Sequence, residues 1–248
     1  MSNFALQLGT DGKVVFGNNS GLQSAGKIVG TVKLYGLWFK DQSNNAINEL
    51  LRVWDGTNYK FSLYCTHLFG GSRIAFRNSL WPGDPTVVDL SSVASGLADT
   101  GLYTLTFTLD PAAGTRTNAT LYDTDGTTVL ATGGTNANTT ADPLQTGAGV
   151  GALTMGDIGD FGSGLSMTVD SLVISDGTST VFDAEYNEGA GSSTADSAGS
   201  TTGSITGTFS WISVEGGTNS VSDDAEFTPF PTSLALPTPE RTVVTVFC

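Results

Sequence analysis

The stretch Tyr103–Asp110, "YTLTFTLD", alternates without a break: Tyr103, Leu105, Phe107 and Leu109 against Thr104, Thr106 and Thr108. Successive side chains of an extended chain point to opposite faces, so the pattern describes a half-buried β-strand with one apolar and one hydroxyl-bearing face. β-Branched threonine favours the same conformation. Outward from this stretch the period of two recurs. In "YKFSLYC", Tyr59, Phe61, Leu63 and Cys65 face one way and Lys60, Ser62 and Tyr64 the other. "GTVKLYGLWF", Gly30–Phe39, has large side chains on both faces and is expected to be one long central strand. "NNAINELLRVW" is ambiguous, because Ile47, Leu50, Leu51 and Trp54 have helical spacing. The Asp-Gly pair and the clear strand that follow favour strand for Leu50–Trp54, with room for a short helical turn before it.

Turn chemistry agrees. Asp-Gly dipeptides begin at Asp11, Asp55, Asp125 and Asp176, each between β-type runs, and glycine at a position needing positive φ makes this pair a strong hairpin signal. Only 14% of residues are charged, against a usual value of roughly 25%, and 32 of the 248 are glycine. Long amphipathic helices need more charge than this, so the composition describes strands joined by many tight turns. The length fits one all-β sandwich, a class that often runs to roughly 200–250 residues.

Charge is unevenly placed. Residues 1–116 hold nine of the ten Lys and Arg against eight Asp and Glu, a net of +1; residues 117–248 hold Arg241 against sixteen acids, a net of −15. The total of −14 argues against a nucleic-acid partner, which demands a cationic face. Cys65 lies on an apolar alternation and is expected to be buried and unpaired, with Cys248 free at the end of the sequence. No charged-then-apolar leader follows Met1 and no apolar run is long enough for a bilayer, so neither secretion nor a membrane partner is expected.

A family resemblance rests on six stretches: "NFALQLGTDGKVVFG", "VKLYGLWFK", "LLRVWDGTNYKFSLY", "GLYTLTFTLD", "NATLYDTDGTTVLATG" and "LTMGDIGDFGSGLSMTVDSLVIS". Together, from Asn3 to about Ser175, they resemble the strand sequence of a concanavalin A-like jelly roll of the laminin-G type. The resemblance implies an all-β jelly-roll sandwich. "FDAEYNEGAGSSTADSAGSTTGSITGTFSW", Phe182–Trp211, then resembles a segment found in laminin-G-like proteins of bacteria and phages, at Asn187, Glu188, Gly189, Gly191, Asp196, Ser197, Gly199 and Trp211. In that family it commonly precedes the sandwich; here it follows. Domain termini often lie close together, so either end can fill the same edge. Read this way, residues 1–221 form one domain with Trp211 in its core, and only about Ala190–Ser200 is expected to be mobile. The competing reading is a flexible Gly/Ser/Thr linker.

After Val221 the character changes. Residues 222–248 hold four of the eight prolines and the apolar side chains Phe227, Phe230, Leu234, Leu236, Val243, Val244, Val246 and Phe247. Proline at this density favours extended chain, which cannot bury those groups against itself, so an assembly arm lying on a neighbouring subunit is expected.

Catalytic chemistry finds little support. A single histidine, His67, and no G-x-S-x-G elbow leave no basis for a serine triad. Some concanavalin A-like folds are glucanases with two carboxylates on one strand, but the nearest match, Asp183, Glu185 and Glu188 in "DAEYNE", has the wrong order and spacing. The resemblance also implies a rim Ca²⁺, with Asp123, Asp125, Asp157 and Asp160 as candidate ligands; the alternative is that these aspartates cap their own turns. No other cofactor is expected. Trp81, in the turn-rich "SLWPGDP", is a candidate ring for stacking on a glycan or anchoring an interface, whereas Trp38, Trp54 and Trp211 sit in strand-like runs and are expected in the core. These features point to a non-enzymatic structural protein of a virion, a capsid decoration or tail-associated component. It would bind the major capsid protein or tail components and form a homo-oligomer. The alternative is an adhesin that recognises host glycans.

Overall fold

The alternating runs become strands of two antiparallel sheets. The computed structural model describes residues 4–40, 47–54, 58–66, 72–77, 86–135, 144, 151–156, 166–214 and 220–221. Its strands are β1 (Phe4–Leu8), β2 (Lys13–Asn18), β3 (Ile28–Tyr35), β4 (Ile47–Trp54), β5 (Tyr59–Thr66), β6 (Arg73–Arg77), β7 (Thr86–Asp89), β8 (Leu102–Leu109) and β9 (Thr117–Tyr122). There follow β10 (Val129–Thr135), β11 (Ala152–Gly156), β12 (Met167–Ser175), β13 (Thr180–Glu185), β14 (Ser193–Asp196), β15 (Thr201–Thr206), β16 (Phe209–Ser213) and β17 (Ser220–Val221), with one short helix α1 (Ser20–Ser24) after β2. Among the described residues the first sheet runs β10-β9-β8-β3-β12-β1-β16-β17, with β13 also on β12, and the second runs β14-β15-β2-β11-β4-β5-β6-β7. The fold is an all-β sandwich.

Between the sheets lies the core. Tyr103, Leu105, Phe107 and Leu109 of β8 are buried, as alternation requires, together with Val32 and Leu34 of β3 and Leu172 and Ile174 of β12. Facing them from the second sheet are Leu51, Val53, Phe61, Leu63, Cys65, Leu153 and Met155. Phe107 touches both Phe76 and Phe61 across the gap, with ring centroids 5.6 and 6.4 Å apart. Each such side chain contributes about 1.5–3 kcal/mol when fully buried, so this layer supplies the main driving force for folding.

The segment that follows Phe182 is built into both sheets. β14 and β15 extend the second sheet beside β2, and β16 lies against β1 in the first. Trp211 is 0% exposed and donates from Nε1 to the Gly191 carbonyl at 2.9 Å. Buried Asp196 fastens the segment down. Its Oδ1 accepts the amides of Asp183, Ala198 and Gly199, and its Oδ2 accepts Asn19 Nδ2 and Thr201 Oγ1. Asn19 in turn caps α1 by accepting the Leu22 amide and donates to the Val181 carbonyl. At Gly199 a Cβ would collide with both the Asn19 amide and the Asp196 carboxylate, so only glycine fits.

Four expectations are corrected. The strand expected over Gly30–Phe39 ends at Tyr35, and Gly36–Phe39 forms a 3₁₀ turn. That turn lets Trp38 and Phe39 both be buried, whereas adjacent residues of a strand would face opposite ways. β4 begins at Ile47, earlier than expected, and its apparently helical spacing comes from a β-bulge, since Glu49 pairs with Tyr64 but Leu51 with Leu63. Asp125-Gly126 and Asp176-Gly177 close hairpins between β9 and β10 and between β12 and β13, with both glycines at positive φ. Asp11-Gly12 does not: it is a corner from the first sheet to the second, held to the return corner by Gly9 N–H to the Thr208 carbonyl and by Thr208 N–H to Asp11 Oδ1. Finally, Ala190–Ser200, expected to be mobile, contains β14 and the Asp196 network. Asp55-Gly56 lies outside the described residues.

Candidate functional site

Two consecutive leucines decide what the outer face of the second sheet carries. In a regular strand, residues three apart point to opposite faces. The bulge at Leu50 removes one step, so Glu49 and Arg52 emerge on the same side, away from the core, while Leu50 and Leu51 are both buried. Register then lines up Thr154 of β11, Arg52 of β4, Ser62 of β5 and Arg77 of β6 as neighbours on that face. Beside them run Glu49, Tyr64 and Ala75, and further along β6 lies Arg73, opposite Thr66.

The arrangement is charged, aromatic and largely shielded from water. Arg52 is 2% exposed and forms a two-point ion pair with Glu49, Nε to Oε1 at 2.9 Å and Nη2 to Oε2 at 2.6 Å. A planar guanidinium matched to a carboxylate in this way is among the strongest polar contacts available to a protein. Its Cζ also lies 5.4 Å from the centre of the Trp54 ring, and Trp54 Nε1 donates to Thr154 Oγ1 at 3.0 Å. Trp54, expected in the core, is instead half-buried on this outer face; the bulge has set its side. Tyr64 and Ser62 are each 1% exposed. Ser62 Oγ and the Nε of Arg73 are buried atoms without a hydrogen-bond partner.

Of the residues singled out from sequence, Asp123 and Asp125 belong to the turn between β9 and β10. Asp123 accepts the Thr124 amide, and Asp125 accepts the amides of Thr127 and Thr128 and the Thr128 hydroxyl. These bonds, the Thr128 hydroxyl first, hold the exposed Asp125 carboxyl down at about 2. Both aspartates thus serve the β9–β10 turn. Asp157, Asp160, Trp81, His67 and the arm residues Phe227, Phe230, Leu234, Leu236, Val244, Val246 and Phe247 lie outside the described residues. Among the described residues no three His, Cys, Asp or Glu side chains come together as a metal site.

The acids of "DAEYNE" have local duties as well. Asp183 Oδ2 accepts the Ser197 hydroxyl, Glu185 Oε2 accepts the Asn187 amide group, and Glu188 Oε1 accepts the Ala195 backbone amide.

No protein-family model and no curated protein sequence matches the chain. Among solved structures it is similar to a candidate carbohydrate-binding protein of Bacteroides ovatus, with a TM-score of 0.53 and 11% identity over 86% of this chain and 60% of that one. The two share a fold. The chain therefore spans about 60% of the length of that protein. It is also similar to the enzymatically active domain of tailspike protein 2 of bacteriophage CBA120, at a TM-score of 0.36 and 11% identity over 65% of this chain and 23% of that one. A third likeness is to scytalido-glutamic peptidase, at 0.31 and 10% over 82% and 97%. The last two are too distant to bear on function.

The face built on β4, β5, β6 and β11 was not legible as a site in the sequence. A signal for it exists: the doubled leucine in "NELLRVW" interrupts strict alternation between two charged residues of opposite sign, which is how a bulge beneath an ion pair would be written.

Proposed function

We propose that this protein is a non-enzymatic structural component of a phage particle, a capsid decoration or tail-associated protein. Residues 1–221 would form its sandwich, and the proline-rich residues 222–248 an arm that joins it to the major capsid protein, to tail components or to copies of itself. The observation that carries the reading is the integration of Asn187–Trp211, the segment that resembles those of phage and bacterial laminin-G-like proteins, into both sheets through Asp196 and Trp211. Its carboxylates are engaged with backbone and side-chain donors of the fold, which favours a structural over a hydrolytic role. Mass spectrometry of purified particles should find the protein at stoichiometric copy number, and truncation after Val221 should leave a folded sandwich that no longer joins them. Absence from the particle, or full occupancy by the truncated chain, overturns the reading.

A second reading, a glycan-binding adhesin on the same particle, is favoured by the Trp54, Arg52 and Glu49 cluster on the outer face of the second sheet. An indole with a polar frame around it is how proteins commonly hold sugar rings. Glycan-array binding that is lost in Trp54→Ala would support it; an array without any bound glycan would remove it.

A further inference from the structure

We infer that the open end of the second sheet's outer face, where Asn18, Ala152 and Trp54 lie side by side, binds an uncharged saccharide ring, a specificity that rests on the adhesin reading. An unexplained glycine leads there. Gly17 of β2 is exposed, its φ is not positive, and a Cβ built on it would meet nothing within 4 Å. Nothing inside the chain requires glycine at this position, although glycine weakens a strand; inside a strand it commonly marks a bulge or a place where a ligand comes close to the backbone. A bulge is present, since Phe16 pairs with Leu153 but Asn18 with Ala152, yet a bulge at ordinary φ accepts a side chain. Close approach from outside is the reason that remains.

The bulge also builds the walls. Val14 and Phe16 are buried in the core, and the extra residue turns Asn18 outward, so that it is exposed beside Ala152 and, one strand further, Trp54. Asn18 Oδ1 accepts the Gly151 amide at 3.3 Å, and among the described residues its NH2 group has no acceptor. Across from it the Trp54 indole is held by two contacts, Nε1 to Thr154 Oγ1 and the Arg52 guanidinium against the ring, yet stays half-exposed. β2 and β4 flank β11, two strand spacings or roughly 10 Å apart, and the floor between them carries only the methyl group of Ala152. A fixed indole on one side, donors on the other and a low floor between suit one sugar ring, its C–H face on the indole and its hydroxyls accepting from Asn18. Charge fixes the class. Asn18, Ala152 and Trp54 are uncharged and the Arg52 behind the ring is matched by Glu49, so the site offers no partner to a charged saccharide. An acidic chain would also meet the repulsion of a molecule of net charge −14.

The test is an array of neutral and acidic glycans probed with the full-length protein, then titration of the strongest binder with the parent, Gly17→Val and Asn18→Asp. Binding to a neutral glycan that is insensitive to added salt and falls about tenfold or more in both variants is the expected result. Gly17→Val should lose binding while melting no lower than the parent, because its added side chain stands in open space in the free protein; a glycine needed by the fold would instead lose stability. Asn18→Asp keeps the acceptor for the Gly151 amide and removes the donors, and it carries the same test if Gly17→Val does not fold. Binding confined to acidic glycans overturns the inference, and so does binding that both variants leave unchanged while Trp54→Ala abolishes it; either outcome leaves the adhesin reading standing. If Gly17→Val changes the sedimentation of the protein and not its glycan binding, the strip is a contact between copies of the chain, and the inference is again overturned. An array without any bound glycan removes both the inference and the adhesin reading.

Discussion

The two outer faces of the sandwich are made by the same alternation and have opposite characters. On the first sheet Thr31, Thr106, Thr120 and Thr132 stand side by side across four strands, and the hydroxyls of Thr120 and Thr132 bond each other at 2.8 Å. These residues are half-buried or exposed, so water can serve whatever the neighbours do not. On the second sheet the equivalent row is Thr154, Arg52, Ser62 and Arg77, of which the first three are buried. There Arg52 depends on Glu49 and Thr154 on Trp54, while the Ser62 hydroxyl is buried without a partner. An outward-pointing residue is therefore not the same thing as a solvated one, and tolerance to substitution should differ sharply between the faces.

The largest effects should come from residues that water cannot rescue. Trp211→Ala, on the core side of the first sheet, is expected to cost about 3–5 kcal/mol in chemical denaturation. Glu49→Ala, on the outer side of the second, should cost a similar amount, about 3–5 kcal/mol, because it strands a buried guanidinium. Replacing both members of the pair, Glu49→Leu with Arg52→Met, should recover most of the loss. A Glu49→Ala protein as stable as its parent would erase the distinction between the faces.

A smaller, pH-dependent effect belongs to Asp170, at the bulge of β12 in the first sheet. Burial raises its carboxyl above the ordinary value of 3.8, with Glu185 adding to the rise and Lys33 opposing it. The folded state thus disfavours the ionised form, and stability falls as pH rises from the unfolded value through the higher folded one. In Asp170→Asn that decline should vanish, leaving a flatter stability profile above about pH 4 and a neutral-pH stability no lower than the parent's. A profile identical to the parent's would show that Asp170 is as solvated as the threonines around it.

Thr106→Val should change stability by no more than about 0.5 kcal/mol, as expected of a solvated sheet face. A loss of several kcal/mol would mean that the threonine row is as dependent on its partners as the Arg52 row. Smallest of all is the signature of Asp125, whose carboxyl should titrate at about 2 by NMR, pinned by its own turn. A value in the ordinary carboxylate range would mean that the Thr127 and Thr128 bonds are not kept in solution.

Much of this was written in the sequence. Tyr103, Leu105, Phe107 and Leu109 announced their buried side, and Asp125-Gly126 and Asp176-Gly177 announced hairpins, because strand periodicity and turn preference depend on a residue and its immediate neighbours. The concentration of cations in the first half of the chain was visible too, though not where they would gather. Sequence alone could not show that Arg52 and Ser62 point away from the core and are buried all the same, since burial depends on which other segments cover a face. It could not show that Asp11-Gly12 turns a corner between sheets instead of closing a hairpin, because the same local geometry serves both. Nor could it join Asn19 to Asp196, 177 residues apart, whose bond appears only once β2, β13 and β14 have been brought to one end of the sandwich. Local chemistry chose the strands; the packing of distant strands chose which polar groups must find partners, and that choice made the face on which function is proposed.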